Sequence, residues 1–300
     1  MPVKVPESDL RSRFTVLAQL RRPLFRYGSV ASFLHNPMNL SSKYWDLALQ
    51  QWRNRGSGRL WRSHADAVNR SMFQRWIGTD VVNSLLKTDL FDEAVGEGLV
   101  PVLSESAREV IGIDVSVDVV QAAQKHYPGL TTQCCDVRQI GLPDQSVDLV
   151  VSPSSLDHFK NLDEFSIALR ELGRVLRPGG RLMITMDNAV NPAVALRNIL
   201  PAPCLEKTGL VPYSVGATCG PRALKQRLDA AGFEVRDCQA FLHCPRVLAV
   251  AVARRIEGWG RPQLEQRVLS SLMKMEKLSR SPLRFQTGYF VGCLATRRPA

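Results

Sequence analysis

The stretch EVIGIDVSVDVV, residues 109–120, decides the fold class. An apolar run, Val110-Ile111-Gly112-Ile113, ends in Asp114, and a helical pattern follows from Val117 to His126. In a doubly wound α/β sheet, an acid at the end of the second strand can accept both hydroxyl hydrogen bonds of a ribose, so a nucleoside ligand is expected there. The same alternation runs outward on both sides. Strands are expected at Ser84–Phe91, Glu109–Asp114, Leu130–Cys135, Val147–Ser152, Arg181–Met186, Glu234–Leu242 and Tyr289–Thr296. Helices are expected at Leu99–Glu105, Val117–His126, Asn161–Leu176, Arg222–Ala231 and Gln263–Leu278. Strands alternating with helices specify a mainly parallel, doubly wound sheet. Arg177-Pro178-Gly179-Gly180 is expected to stop a helix and turn into the next strand.

Upstream of Ser84 the pattern is helical. A short helix is expected at Leu10–Arg21, and two more over 41–78, broken near Gly56-Ser57-Gly58 and carrying Trp45, Trp52, Trp61 and Trp76. The 300 residues are 45% hydrophobic and 22% charged, which excludes a disordered chain or a small disulfide scaffold. The longest apolar stretch, Val247–Ala253, is of strand length and too short to span a bilayer. MPVKVPESDLRSRF lacks the apolar run of a secretory signal. Seven cysteines with no CxxC pair fit a reducing cytoplasm and no metal site, with Cys134 and Cys135 as small apolar filler at a strand end.

The net charge of +11 is unevenly spread. Residues 1–80 carry 13 Lys and Arg against 5 Asp and Glu, residues 81–190 carry 9 against 16, and residues 191–300 carry 17 against 7. An acidic middle lies between basic flanks, so any anionic partner belongs to the flanks.

Three segments, EVIGIDVSVDVV (109–120), CDVRQIGLPDQSVDLVVSPSSLDHF (135–159) and LRELGRVLRPGGRLMITMDN (169–188), resemble successive blocks of the class I S-adenosylmethionine-dependent methyltransferases, in order and spacing. AGFEV (231–235) extends the resemblance more loosely. The resemblance implies a Rossmann-like, doubly wound seven-stranded sheet with its last strand antiparallel. It implies S-adenosyl-L-methionine as cofactor and methyl transfer to a small-molecule or lipid-like acceptor. The family's first block usually reads acid-x-Gly-x-Gly-x-Gly; here KTDLFDEAVGEG (87–98) keeps two glycines. The acid of that block is Asp89 by counting back from Asp114, and Asp92 or Glu93 by aligning the glycines.

The expected cofactor-binding residues are therefore Asp89, Glu93, Gly96, Gly98, Asp114, Val115, Asp136, Val137 and Ser152. Asp114 is expected on the ribose and Asp136 on the adenine amino group, with the Val137 amide at the ring. Asp157 and His158 follow the fourth strand on the acceptor side, where His158 is suited to take a proton near neutral pH. His243 is a weaker candidate of the same kind. Residues 1–80 are expected to form a basic helical cover and 81–300 the transferase domain, with a lid-like insertion at 190–220 that contains Tyr213. The basic flanks point to an anionic or membrane-borne acceptor. Nucleic acid is not favoured, because Ser152-Pro153-Ser154-Ser155 stands where an Asn/Asp-Pro-Pro-Tyr motif would be. The reduced glycine block leaves a non-catalytic binding protein as a second reading.

Overall fold

The computed structural model describes residues 37–55, 58–200 and 216–299. The helix expected at Leu10–Arg21 and the core of the insertion, with Tyr213, lie outside the described residues. In chain order the described elements are α1 (Pro37–Arg55), α2 (Arg59–Ile77), β1 (Val82–Thr88), α3 (Phe91–Val95), α4 (Val100–Ser106), β2 (Ala107–Asp114), α5 (Val117–His126) and β3 (Thr131–Cys134). There follow β4 (Val147–Pro153), a 3-10 turn at Leu156–His158, α6 (Leu162–Val175), β5 (Leu176–Asp187), α7 (Pro192–Ile199), α8 (Pro221–Ala230) and β6 (Phe233–Phe241). The chain ends with α9 (Arg246–Glu257), α10 (Pro262–Met275), a 3-10 turn at Glu276–Arg280, α11 (Arg284–Thr287) and β7 (Phe290–Arg297).

One seven-stranded sheet has the order β3-β2-β1-β4-β5-β7-β6, with β7 antiparallel to both neighbours and every other pair parallel. The order reverses at β1, which pairs with β2 on one side and β4 on the other, so the ligand crevice of such a sheet opens at the carboxyl ends of these strands. Period-two alternation gives the sheet two apolar faces. Leu85, Leu149, Val151 and Met183 face Phe73 and Trp76 of α2, Leu103 of α4 and Val119 of α5. Leu86, Val150, Leu182 and Ile184 face Phe165, Leu169 and Leu172 of α6 and Leu224 and Leu228 of α8. The helices that follow β2 and β4, α5 and α6, begin with side-chain caps: Ser116 Oγ accepts from Val119 N at 3.1 Å, and Asn161 Oδ1 from Asp163 N and Glu164 N at 3.0 and 2.9 Å.

Three sequence expectations are corrected. The first strand ends at Thr88 rather than Phe91, because Asp89 turns left-handed at φ 67° and α3 begins two residues later. Val247–Ala253, of strand length, lies in helix α9, where Ala249, Ala253 and Ile256 are the buried positions at helical spacing. Arg177–Gly180 does not separate a helix from a strand; it opens β5, with Gly179 at φ 78° and a register slip opposite Val147–Leu149.

Candidate functional site

A cavity of about 470 Å³ lies beyond the carboxyl ends of β1 and β2 and against the segments that follow β3 and β4, with Tyr44 and Trp45 of α1 across it. Asp114 closes β2 in its wall. Its Oδ2 accepts from Leu90 N and its Oδ1 from Ser116 N, both at 2.9 Å. Burial pushes its carboxyl up, and these two amides oppose the shift. Each oxygen retains a lone pair for a further donor.

Asp89 is the acid that the structure brings to the cavity beside Asp114. Its N–H donates to Ile113 O at 2.8 Å and its Oδ1 accepts from Phe91 N at 2.8 Å, so the same residue ends β1 and starts α3. Burial, and then the neighbouring Asp114 charge, hold its carboxyl well above the ordinary range. Asp92 points outward to Arg62 at 3.1 Å. Glu93 is fully buried behind the wall, paired with the equally buried Lys87 at 2.8 Å and accepting from Leu99 N at 2.8 Å.

Five of the expected site residues are not in the cavity wall. Glu93 is held away by Lys87. Gly96 ends α3 beside Arg62, and Gly98 turns at φ 56° where a Cβ would collide with the Glu93 carboxylate, so both glycines serve the packing behind α3. Ser152 is sealed beneath the wall, bonded to Thr88 Oγ1 at 2.8 Å and Ser155 Oγ at 3.0 Å. Asp157 is buried one layer further back, where its Oδ2 accepts from Asp187 N at 3.1 Å.

Asp114, Val115, Asp136, Val137 and His158 do line the cavity with Asp89. Asp136 is already clamped by Arg138, Nε to Oδ1 at 3.0 Å and Nη2 to Oδ2 at 2.6 Å, while the guanidinium lies over the Phe159 ring at 5.0 Å. His158 sits edge-on to Trp45 with centroids 4.8 Å apart, and Trp45 meets Phe91 at 5.6 Å. The Asp157 Oδ1 lies 3.8 Å from His158 Nε2 and has no hydrogen-bond partner; burial pushes this carboxyl up to about 6. His243, by contrast, is sealed, with Nδ1 at 2.8 Å from Thr287 Oγ1 and Nε2 at 3.0 Å from Ala240 O.

Sequence reasoning missed Thr88, Phe91, Arg138, Ser155, Lys160 and Glu164 of the wall. Thr88 and Ser155 could have been found as hydroxyls at the ends of the two central strands, whereas Phe91 and Lys160 carry no signal of their own. Cys135 also lines the cavity, with its thiol pushed up to about 11 by burial, and Cys134 is exposed rather than filler. Among the described residues no cluster of three or more His, Cys, Asp or Glu is placed to hold a metal ion, and no helix is long and apolar enough to cross a membrane.

Residues 92–184 match the family model of a methyltransferase domain. The chain is 27% identical to a probable S-adenosylmethionine-dependent methyltransferase of Mycolicibacterium smegmatis, over 61% of this chain and 63% of that protein, so less than two thirds of that relative's length is spanned. It is 32% identical to the demethylmenaquinone methyltransferase of Thermus thermophilus, over 49% of this chain and 74% of the relative. Among solved structures, the 4+2 cyclase SpnF shares the fold at a TM-score of 0.55 and 19% identity, over 88% of this chain and 96% of that one.

Proposed function

The chain belongs to the class I S-adenosylmethionine-dependent methyltransferase family, and on that premise we propose that it transfers a methyl group from S-adenosylmethionine to a small, lipid-like acceptor. The observation that carries the reading is the cavity of about 470 Å³ at the sheet's reversal point with Asp114 in its wall, a volume within the range of small-ligand sites. Each Asp114 oxygen is used once by a backbone amide and retains a lone pair for a ribose hydroxyl. The lining acids Asp89, Asp114, Asp136 and Glu164 outnumber the basic Arg138 and Lys160, which suits a ligand bearing a sulfonium and an ammonium charge.

The cofactor supplies an already activated methyl group, so the chain's own work is alignment and exclusion of water. Trp45 and Phe91 present apolar rings to the cavity and fit an apolar acceptor. His158 would take the proton of a hydroxyl or carbon acid, with the buried Asp157 behind it to stabilise the imidazolium. The helices α1 and α2 would be the cover over this site. The likeness to an enzyme named for demethylmenaquinone supports an acceptor of this size and character.

Titration calorimetry with S-adenosylmethionine tests the reading. The parent chain binds, and Asp114→Ala weakens binding about a hundredfold through two lost charge-assisted hydrogen bonds. Folded protein that takes up no cofactor overturns the reading, and unchanged affinity in the variant removes Asp114 from the site. A second reading, cofactor binding without transfer, is favoured by one observation: α3 stands where the family's glycine-rich turn would be. Labelled-methyl transfer to a panel of quinols, phenols and fatty acids separates the two.

A further inference from the structure

Three segments meet beside the site, at the carboxyl edge of the sheet. Arg197 of α7 donates to Tyr289 Oη at 3.0 Å, and Arg246 at the start of α9 stacks over the same ring at 4.8 Å. Asn191 Nδ2, capping α7, donates to the carbonyls of Gln286 and Thr287 in α11, both at 3.2 Å. The amide of Asp187, which closes β5, binds Asp157 beside His158, so this corner adjoins the cavity.

The outer side of the corner is apolar. Leu196 and Ile199 of α7 are 60% and 80% exposed, Leu248 of α9 is 62% exposed, and Leu283 before α11 is 59% exposed. Each element buries its other side: Val194 and Arg197 in α7, Ala249, Ala253 and Ile256 in α9. The surrounding charge has one sign. Residues 188–200, 242–256 and 277–288 hold no Asp or Glu, and of their seven Lys and Arg, Arg197 is buried on Asp187 while Arg255, Lys277 and Arg280 are exposed. The acids that flank these segments turn inward: Asp187 onto Arg197, Glu257 onto Gly58 N and Leu60 N, Glu276 onto Leu242 N and His243 N.

Exposed aliphatic side chains on adjoining short helices, set in uniformly positive surroundings, are what an anionic bilayer surface recognises: the apolar side chains enter the acyl boundary and the basic ones stay at the headgroups. A second copy of the same face would bring like charges together. We infer that this corner seats the protein on an anionic membrane. The inference goes beyond the transfer reading and is measured without cofactor, so the two fail separately.

The test is flotation of the full chain with vesicles of phosphatidylcholine containing phosphatidylglycerol, against vesicles of phosphatidylcholine alone. The expected result is binding to the anionic vesicles only, weakened by added salt. Ile199→Ser, Leu248→Ser and Leu283→Ser combined should reduce it about tenfold or more without lowering Tm, since all three side chains are exposed. Arg255→Glu with Lys277→Glu and Arg280→Glu should do the same through charge, and this second variant decides the matter if the first misfolds. No binding by the parent overturns the proposal, as does equal binding to neutral vesicles or undiminished binding by both folded variants. If sizing shows the substitutions splitting a parent dimer, the face is an interface between copies and the membrane proposal falls.

Discussion

Asp89 sets the pH behaviour of the site. Burial and the Asp114 charge favour its protonated form, and a bound cation favours the carboxylate. Cofactor binding should therefore release a proton, and affinity should rise as pH rises through the Asp89 pKa. Calorimetry in two buffers of different ionisation heat reads the released proton directly; affinity flat with pH would show that Asp89 does not face the ligand's charge. At His158 the expectation differs: His158→Ala should lower kcat by about 10² to 10⁴ while leaving cofactor affinity unchanged, and an equal loss in both would make it a packing residue. The legible part of the site was the part written at strand ends. Asp114 closes an apolar run, and Asp136 follows the end of β3 by two residues. Trp45, Lys160 and Phe159 reach the cavity only through the packing of α1 and the turn after β4, which no local pattern encodes. Glu93 lies behind the wall on Lys87, a partner that reads as an ordinary strand residue until the strand is found to be central and buried.

At the scale of elements, α3 is the departure from the family pattern, and the Lys87–Glu93 pair is what holds it. Lys87 also donates to the Asp89 carbonyl, so one ammonium ties β1, the Asp89 turn and α3 together. Burial disfavours that ammonium, yet the Glu93 and Asp89 charges outweigh it and raise its pKa. Glu93→Gln leaves the cation without its counter-charge and should cost about 3 to 5 kcal/mol in urea unfolding. The double variant Lys87→Met with Glu93→Leu should recover most of the loss, because an apolar pair of similar volume fills the space without charge. A double variant no more stable than the single one would mean that the pair fixes geometry that apolar side chains cannot. The strands β2, β4, β5 and β7 were legible because each contains an apolar run, whereas β1, β3 and β6 mix polar and apolar residues; the expected ends lie within a few residues of those observed. The helices α3, α7, α9 and α11 were not. Three of them are eight residues or shorter, too short for a helical period to emerge, and α9 carries alanine and valine on both its faces, which hides its period.

For the whole molecule, buried acids bias stability toward mildly acidic pH. Burial, and then the Asp92 charge, push Asp66 up to about 7, and burial pushes Asp157 up to about 6. An acid whose pKa is higher folded than unfolded binds its proton more tightly in the native state, so stability declines as pH rises from the unfolded value through the folded one. The opposite sign holds for Glu171, drawn down by its bond to Arg174, and for Asp148, where bonds from Ser84 N and Arg177 outweigh burial; their contributions are lost only in stronger acid. The net charge of +11 also grows as carboxylates protonate, and adds repulsion there. The expected profile is a Tm maximum near pH 4, at the low end of the window between about 4 and 7 over which these buried acids lose stability. Asp66→Asn isolates the cause. It removes a carboxyl that must ionise in a buried place, so it should raise Tm at pH 8, leave it nearly unchanged near pH 4, and flatten the slope between them. Thermal unfolding of parent and variant across this range checks it, and a variant with the parent's slope would place the titrating group elsewhere.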